Sequence, residues 1–164
     1  MKNYNKSIVQ IIYKSFKSKN NKILDFGAGI GTLSLIYEKV SGIKPLCVEL
    51  DPINRKSLRD QGFKAFKTIK DSKINFDAIF SSNVLEHIID DQKAIFDIYE
   101  NLNKNGVLFL FLPAFEILYS DMDRKVGHHR RYDMSDLKKK IENANLKICN
   151  CYYFDSIGFF ASLL

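Results

Sequence analysis

Lys22-Ile23-Leu24-Asp25-Phe26 runs into Gly27-Ala28-Gly29-Ile30-Gly31, and Thr32 to Val40 follows with Leu33, Ile36, Tyr37 and Val40 at helical spacing. An apolar strand, a glycine turn and a helix in that order are the opening unit of a parallel α/β sheet. Glycines let the backbone turn tightly and approach a ligand without a Cβ in the way. The spacing is Gly-x-Gly-x-Gly, with Asp25 just ahead of it. A nicotinamide-binding loop would want a third glycine where Thr32 stands, and no Gly-Lys-Ser/Thr follows to make a phosphate loop. An acid at this strand end suits a positively charged ligand better than a pyrophosphate.

Working outward, Pro45 to Leu50 reads as a second strand, closed by Glu49, 18 residues after Gly31. A carboxylate there can accept the hydroxyls of an adenosine ribose. Asp51-Pro52 opens a second helix, with Asp as cap and Pro at the first position, and Gln61-Gly62 closes it. Lys64–Ile69 and Phe76–Phe80 are expected as a weaker third strand and a fourth. Asp90 or Asp91 caps a helix carrying Ile95, Ile98 and Leu102, and Asn105-Gly106 is a turn signal. Val107–Leu112 is the most apolar strand, so a central place covered on both faces is expected. Residues 113–132 read as polar loop, Asp133 caps a helix with Leu137 and Ile141, and Leu146–Phe154 is a last strand. Strands alternating with helices predict a doubly wound, Rossmann-like, mostly parallel sheet of about six strands.

The chain has 164 residues, 27% charged and 46% hydrophobic, which suits one folded domain. Its net charge of +6 is carried by Lys2, Lys6, Lys14, Lys17, Lys19 and Lys22, while the remainder balances. No chain-wide basic footprint for nucleic acid is present. The N-terminal segment, residues 1–22, has Ile8, Ile11, Ile12 and Phe16 at helical spacing. It predicts a basic helix that either lies on an anionic membrane or packs on its own domain (residues 23–164), the latter being commoner. Cys47, Cys149 and Cys151 form no CxxC and point to buried free thiols in a reducing, cytoplasmic compartment. The apolar run from Ile157 to Leu164 has no terminating signal, which suits a fragment lacking its last strand.

Asp25 to Gly31, Val48-Glu49-Leu50-Asp51, and Phe76 through Ser81-Ser82-Asn83-Val84-Leu85-Glu86-His87-Ile88, in that order, resemble the class I S-adenosylmethionine-dependent methyltransferases. The resemblance spans roughly residues 20–115 and implies that Asp25, Gly27, Ala28, Gly29, Gly31, Glu49, Leu50, Ser82 and Asn83 surround the cofactor. Asp25 would lie near its ammonium, Glu49 would hold the ribose, and Ser82 and Asn83 would sit near the sulfonium. Asn83 is also a candidate catalytic residue. An acid after the third strand often holds the adenine in this family; Asp71 is the available substitute. In ubiquinone-pathway O-methyltransferases a Glu-x-x-Glu-His stretch holds a divalent metal. Here Asn83 replaces the first Glu, and no metal is expected.

Asp123-Arg124-Lys125-Val126-Gly127-His128-His129-Arg130-Arg131-Tyr132 resembles a loop of a methyltransferase type 11/12-like subgroup carrying Gly-His-x-Arg-Arg-Tyr. His128 is the candidate general base, since an imidazole titrates near neutral pH. Arg130 and Arg131 can grip an anionic acceptor, Arg131 being the candidate anchor; alternatively Asp123 pairs with an Arg to pin the loop. The expected acceptor is a small molecule or a sugar- or lipid-linked intermediate. The alternative is a non-catalytic methyltransferase-like scaffold domain. A nicotinamide-dependent dehydrogenase is disfavoured by Thr32 and Asp25.

Overall fold

The computed structural model describes residues 2–16 and 22–154. Lys17, Lys19 and the apolar run from Ile157 on lie outside the described residues. The described chain forms two compact units. The first extends to Ser82 and takes in Glu100–Phe111; the second holds Asn83–Tyr99 and the residues from Leu112 on.

In the first unit, strands β1 (Ile23–Phe26), β2 (Leu46–Val48), β3 (Ala65–Phe66), β4 (Phe76–Ser82) and β5 (Leu102–Phe111) form one sheet in the order β3-β2-β1-β4-β5. Every pairing is parallel. β1 and β4, flanked on both sides, are short apolar runs with few exposed positions, as parallel pairing demands. The order reverses beside β1, so the carboxyl ends of β1, β2 and β4 share one edge of the sheet.

Helix α1 (Lys2–Phe16) buries Ile8, Val9, Ile12 and Phe16 in a core with Ile23, Tyr37, Ala78 and Phe80. Tyr37 and Phe80 stack with centroids 5.4 Å apart. The apolar face of α1 is therefore spent inside this unit. Among the described residues no helix is long and apolar enough to cross a membrane. Helix α2 (Thr32–Ser41) ends at Gly42, which takes the left-handed conformation and donates its N–H to the Glu38 carbonyl. Helix α3 (Pro52–Asp60) starts as expected: Asp51 accepts from the Ile53 and Asn54 amides. Leu58 of α3 packs with Ala28, Cys47, Phe63 and Ala65 in a second apolar group.

Several expectations are corrected. Among the described residues β5 lies at the edge of the sheet, with mostly half-buried side chains, rather than at its centre, because hydrophobicity does not reveal which strands pair. Leu102 opens this strand instead of closing a helix. Asn105-Gly106 does not separate helix from strand. It forms a bulge inside β5, with Asn105 at φ 65 and the register against β4 shifting between Phe76 and Ala78. Residues 146–154 form no strand, so five strands are present among the described residues. Of the cysteines only Cys47 is buried; Cys149 is exposed.

The second unit holds helices α4 (Asp91–Glu100, whose last residue belongs to the first unit), α5 (Asp121–Val126) and α6 (Met134–Asn143). It also has one-turn helices at Leu85–His87 and Glu116–Leu118. Asp90 is the cap of α4, its carboxylate accepting from the Lys93 amide. Asp133 occupies the cap position of α6, but its side chain makes no capping bond there. The stretch expected as loop carries α5, which Ser120 and Asp123 start with a reciprocal capping box.

Candidate functional site

Most of the expected cofactor residues lie at the carboxyl edge of the first unit. Gly27 and Ala28 donate their amides to the Val48 carbonyl at 2.8 and 3.0 Å, tying the glycine turn to the end of β2. Gly27, Gly29 and Gly31 have φ of 80, 54 and 88, where a side chain would be strained. A Cβ on Gly29 would meet nothing within 4 Å, so this stretch of backbone faces open space.

Glu49 holds the turn from its other side. Its Oε2 accepts from the Gly29 amide at 2.7 Å and its Oε1 from the Asp51 amide at 2.8 Å. Its backbone carbonyl accepts from Arg55 Nη1 at 2.7 Å, and the same guanidinium reaches the Leu50 carbonyl. Leu50 and Ile30, next in sequence to Glu49 and Gly29, are 70% and 61% exposed, apolar surface of a kind suited to a purine or ribose face.

Asp25 is buried at the end of β1. Ser34 Oγ donates to Asp25 Oδ2 at 2.6 Å, and the Cys47 sulfur lies 3.4 Å from that hydroxyl. Burial pushes the Asp25 carboxyl up to about 7, the Ser34 hydrogen bond opposing and the Glu49 charge adding. Burial likewise pushes the Cys47 thiol up to about 12. Ser81, which the sequence reading passed over, donates its hydroxyl to the Phe26 carbonyl at 2.9 Å and so joins the ends of β4 and β1. Ser82 is the last residue of β4. Asp71 is spent on its own turn, accepting from the Thr68 amide at 2.8 Å.

A carboxylate at the tip of the second strand, open space over the glycine turn and a buried acid behind it fit an adenosine cofactor with a cationic tail. Glu49 would take the ribose hydroxyls, and Asp25 would face the ammonium.

The remaining candidates, Asn83, His128 and Arg131, belong to the second unit. Asn83 follows β4 with φ 53. The Gly127–Tyr132 motif acts as a clamp around two buried acids, Asp123 and Asp91. Gly127 caps α5 in the left-handed conformation. His128 Nδ1 lies 2.8 Å from Asp123 Oδ1. Arg131 gives Nε to both Asp123 oxygens at 3.0 Å and Nη2 to Oδ2 at 3.0 Å. Although burial works the other way, the Arg131 and His128 hydrogen bonds hold the Asp123 carboxyl well below the usual range. Arg130 Nη1 and Lys140 Nζ each lie 2.8 Å from Asp91 Oδ1, and the Tyr132 hydroxyl donates to Asp91 Oδ2 at 2.9 Å. Both guanidiniums weighed as acceptor grips are thus paired within the chain. The other alternative, Asp123 pinning the loop, is the geometry found.

Glu86 sits beneath this clamp, fully buried, and neither carboxylate oxygen has a hydrogen-bond partner. Burial pushes its carboxyl up to about 7, the Asp123 charge adding. Its backbone carbonyl accepts from the His129 amide at 2.7 Å, tying the Leu85–His87 turn to the motif. The sequence reading weighed Glu86 and His87 as the end of a metal-binding stretch and expected no metal, because Asn83 replaces its first Glu; their proximity to His128 has no local signal.

A five-stranded parallel sheet with a glycine turn after β1 and an acid after β2 defines a Rossmann-like α/β domain. Within that class the chain belongs to the methyltransferase domain family, whose sequence model matches residues 2–150. It is 29% identical over 105 residues to the mitochondrial ubiquinone biosynthesis O-methyltransferase of Bos taurus, covering 54% of this chain and 28% of that protein. The chain therefore spans under a third of that relative's length. The YcgJ protein of Bacillus subtilis shares the fold with a TM-score of 0.69 at 16% identity, over 83% of this chain and 66% of the other. Phosphoethanolamine N-methyltransferase 2 of Haemonchus contortus, solved with S-adenosyl-L-methionine, matches with a TM-score of 0.64 at 17% identity, over 84% and 36%.

Proposed function

We propose that the protein transfers a methyl group from S-adenosylmethionine to a small-molecule or a sugar- or lipid-linked acceptor. The observation that carries this reading is Glu49. Its carboxylate is fixed by the Gly29 and Asp51 amides at the tip of β2, beside backbone that faces open space. Family membership supports the same cofactor, and the solved Haemonchus relative holds it.

The cofactor brings an activated methyl group, so the protein's task is alignment of the acceptor's nucleophile with the methyl–sulfur bond. In this reading Asp25 faces the ammonium, Glu49 the ribose, and Ser82 and Asn83 the neighbourhood of the sulfonium. The second unit's candidate proton acceptor is His128, whose Nδ1 is held by Asp123, itself fixed by Arg131. Arg131 acts here as a positioning residue. An O-methyltransferase of ubiquinone biosynthesis and a phosphoethanolamine N-methyltransferase are among the similar proteins, which supports an oxygen or a nitrogen nucleophile on a lipid-related molecule as acceptor class.

The test is release of S-adenosylhomocysteine when the protein is incubated with S-adenosylmethionine and a panel of phenols, amino sugars and amine head groups. Acceptor-dependent product is expected. A folded protein that binds the cofactor but yields none with any acceptor class would favour the non-catalytic scaffold.

A further inference from the structure

We infer that Glu86, His87 and His128 form a binding site for one divalent first-row transition-metal ion. One ligand atom from each residue lies within 4.8 Å of the others. Glu86 is fully buried with both oxygens unpartnered. A carboxylate in that position is costly unless something positive meets it.

The two imidazoles are arranged to supply lone pairs. His128 Nδ1 is engaged by the Asp123 carboxylate at 2.8 Å, and His87 Nδ1 by the Gly127 carbonyl at 3.1 Å. An acceptor at each Nδ1 fixes the proton there and leaves Nε2 as a free donor atom for a metal. This is the outer-sphere arrangement typical of metal-bound histidines. The rings stand edge to face with centroids 4.6 Å apart. His128 Nε2 is 3.9 Å from Glu86 Oε1, too far for a hydrogen bond. Two ligands about 2.1 Å from one ion stand about 3.4 Å apart, so side-chain rotation closes the set onto an ion.

The support around the site is rigid. The His129 amide holds the Glu86 carbonyl, and Arg131 and the Ser120 amide hold Asp123, which in turn orients His128. Second-shell bonding of this kind is what keeps a ligand set in place. Two nitrogens and one oxygen suit zinc, iron(II), cobalt(II) or nickel(II) better than magnesium or calcium. Three protein ligands leave coordination positions open. The third ligand comes from the Gly127–Tyr132 motif, far along the chain from Glu86-His87. The ion's binding needs no cofactor, but it occupies the His128 Nε2 lone pair that the methyl-transfer reading gives to the base. With the ion in place, its use would instead be to ease proton loss from a coordinated hydroxyl, and that use rests on that reading.

The test is titration of the metal-stripped chain with Zn(II) alone by calorimetry and with Co(II) alone by visible absorption, in a Cys149→Ser, Cys151→Ser background that removes competing thiols. One saturable ion per chain is expected. His87→Ala and His128→Ala should each weaken it about tenfold or more, while His129→Ala leaves it unchanged. His87 is exposed, so its variant should keep the melting temperature of the metal-free protein, which checks folding. No saturable binding by the folded chain, or affinity retained in both variants, would overturn the site and leave His128 as a bare base. A parallel titration with S-adenosylhomocysteine separates the two readings: cofactor bound without metal sinks only the ion.

Discussion

Glu49 and Gly29 are joined by a 2.7 Å hydrogen bond from the glycine amide to the carboxylate, although they stand on different β–α turns. The second Glu49 oxygen takes the Asp51 amide at 2.8 Å. The acid expected to hold a ribose is therefore also a staple between the two turns. Glu49→Gln should lower stability by about 1 kcal/mol, since a charged acceptor is lost from two amides. Urea unfolding without cofactor measures this; an unchanged midpoint would deny the staple.

Gly31 should tolerate no side chain. Its φ is 88, and an added Cβ would stand 2.9 Å from Leu58 Cδ2. Gly31→Ala should cost about 2 kcal/mol from the left-handed backbone and the crowding together. Thermal melting checks it, and a shift within a degree of the parent would contradict the geometry.

Asp25 should make stability fall with rising pH. Its carboxyl is pushed from 3.8 to about 7 by burial. Between these values the folded chain keeps a proton that the unfolded chain has lost. The contribution is full below about pH 4 and disappears as pH rises through about 7. Asp25→Asn keeps an oxygen for the Ser34 hydroxyl. It should melt like the parent at pH 4 and be more stable at pH 8, by an amount on the order of 2–4 kcal/mol. A variant that tracks the parent at both pH values would argue against a buried neutral acid.

Asp91 should show the opposite sign. Although burial works against ionisation, hydrogen bonds from Lys140, Arg130 and Tyr132 lower its carboxyl. Its contribution is present above the ordinary carboxylate range and lost as pH falls below it. Asp91→Asn should cost about 3 kcal/mol at pH 7, because it leaves two cations without their buried partner. The gap from the parent should narrow toward pH 3 in acid-dependent melting curves.

The first half of the fold was legible because parallel strands covered on both sides are continuous apolar runs punctuated by glycine and cap residues. Ile23–Phe26 and Asp51 with Pro52 stand where those signals put them. β5 was misread twice for one reason. Apolar content predicts a strand but not its neighbours, and Asn105-Gly106 is turn chemistry used within a bulge. Residues 146–154 alternate without pairing, and alternation alone supplies no partner. At the site, the glycine turn and Glu49 were visible because their chemistry is local. The partners of Arg130, Arg131 and His128 were not all visible. Asp123 is close in sequence, but Asp91 and Glu86 lie some 40 residues away, and only the fold brings them to the motif.

The central claim is that the β1 and β2 turns bind S-adenosylmethionine through Glu49. Calorimetric titration of the parent and of Glu49→Ala with S-adenosylmethionine and S-adenosylhomocysteine tests it most directly. The account predicts saturable one-to-one binding by the parent and its loss in a variant that remains folded. Equal binding by both proteins, or none by the folded parent, would contradict it.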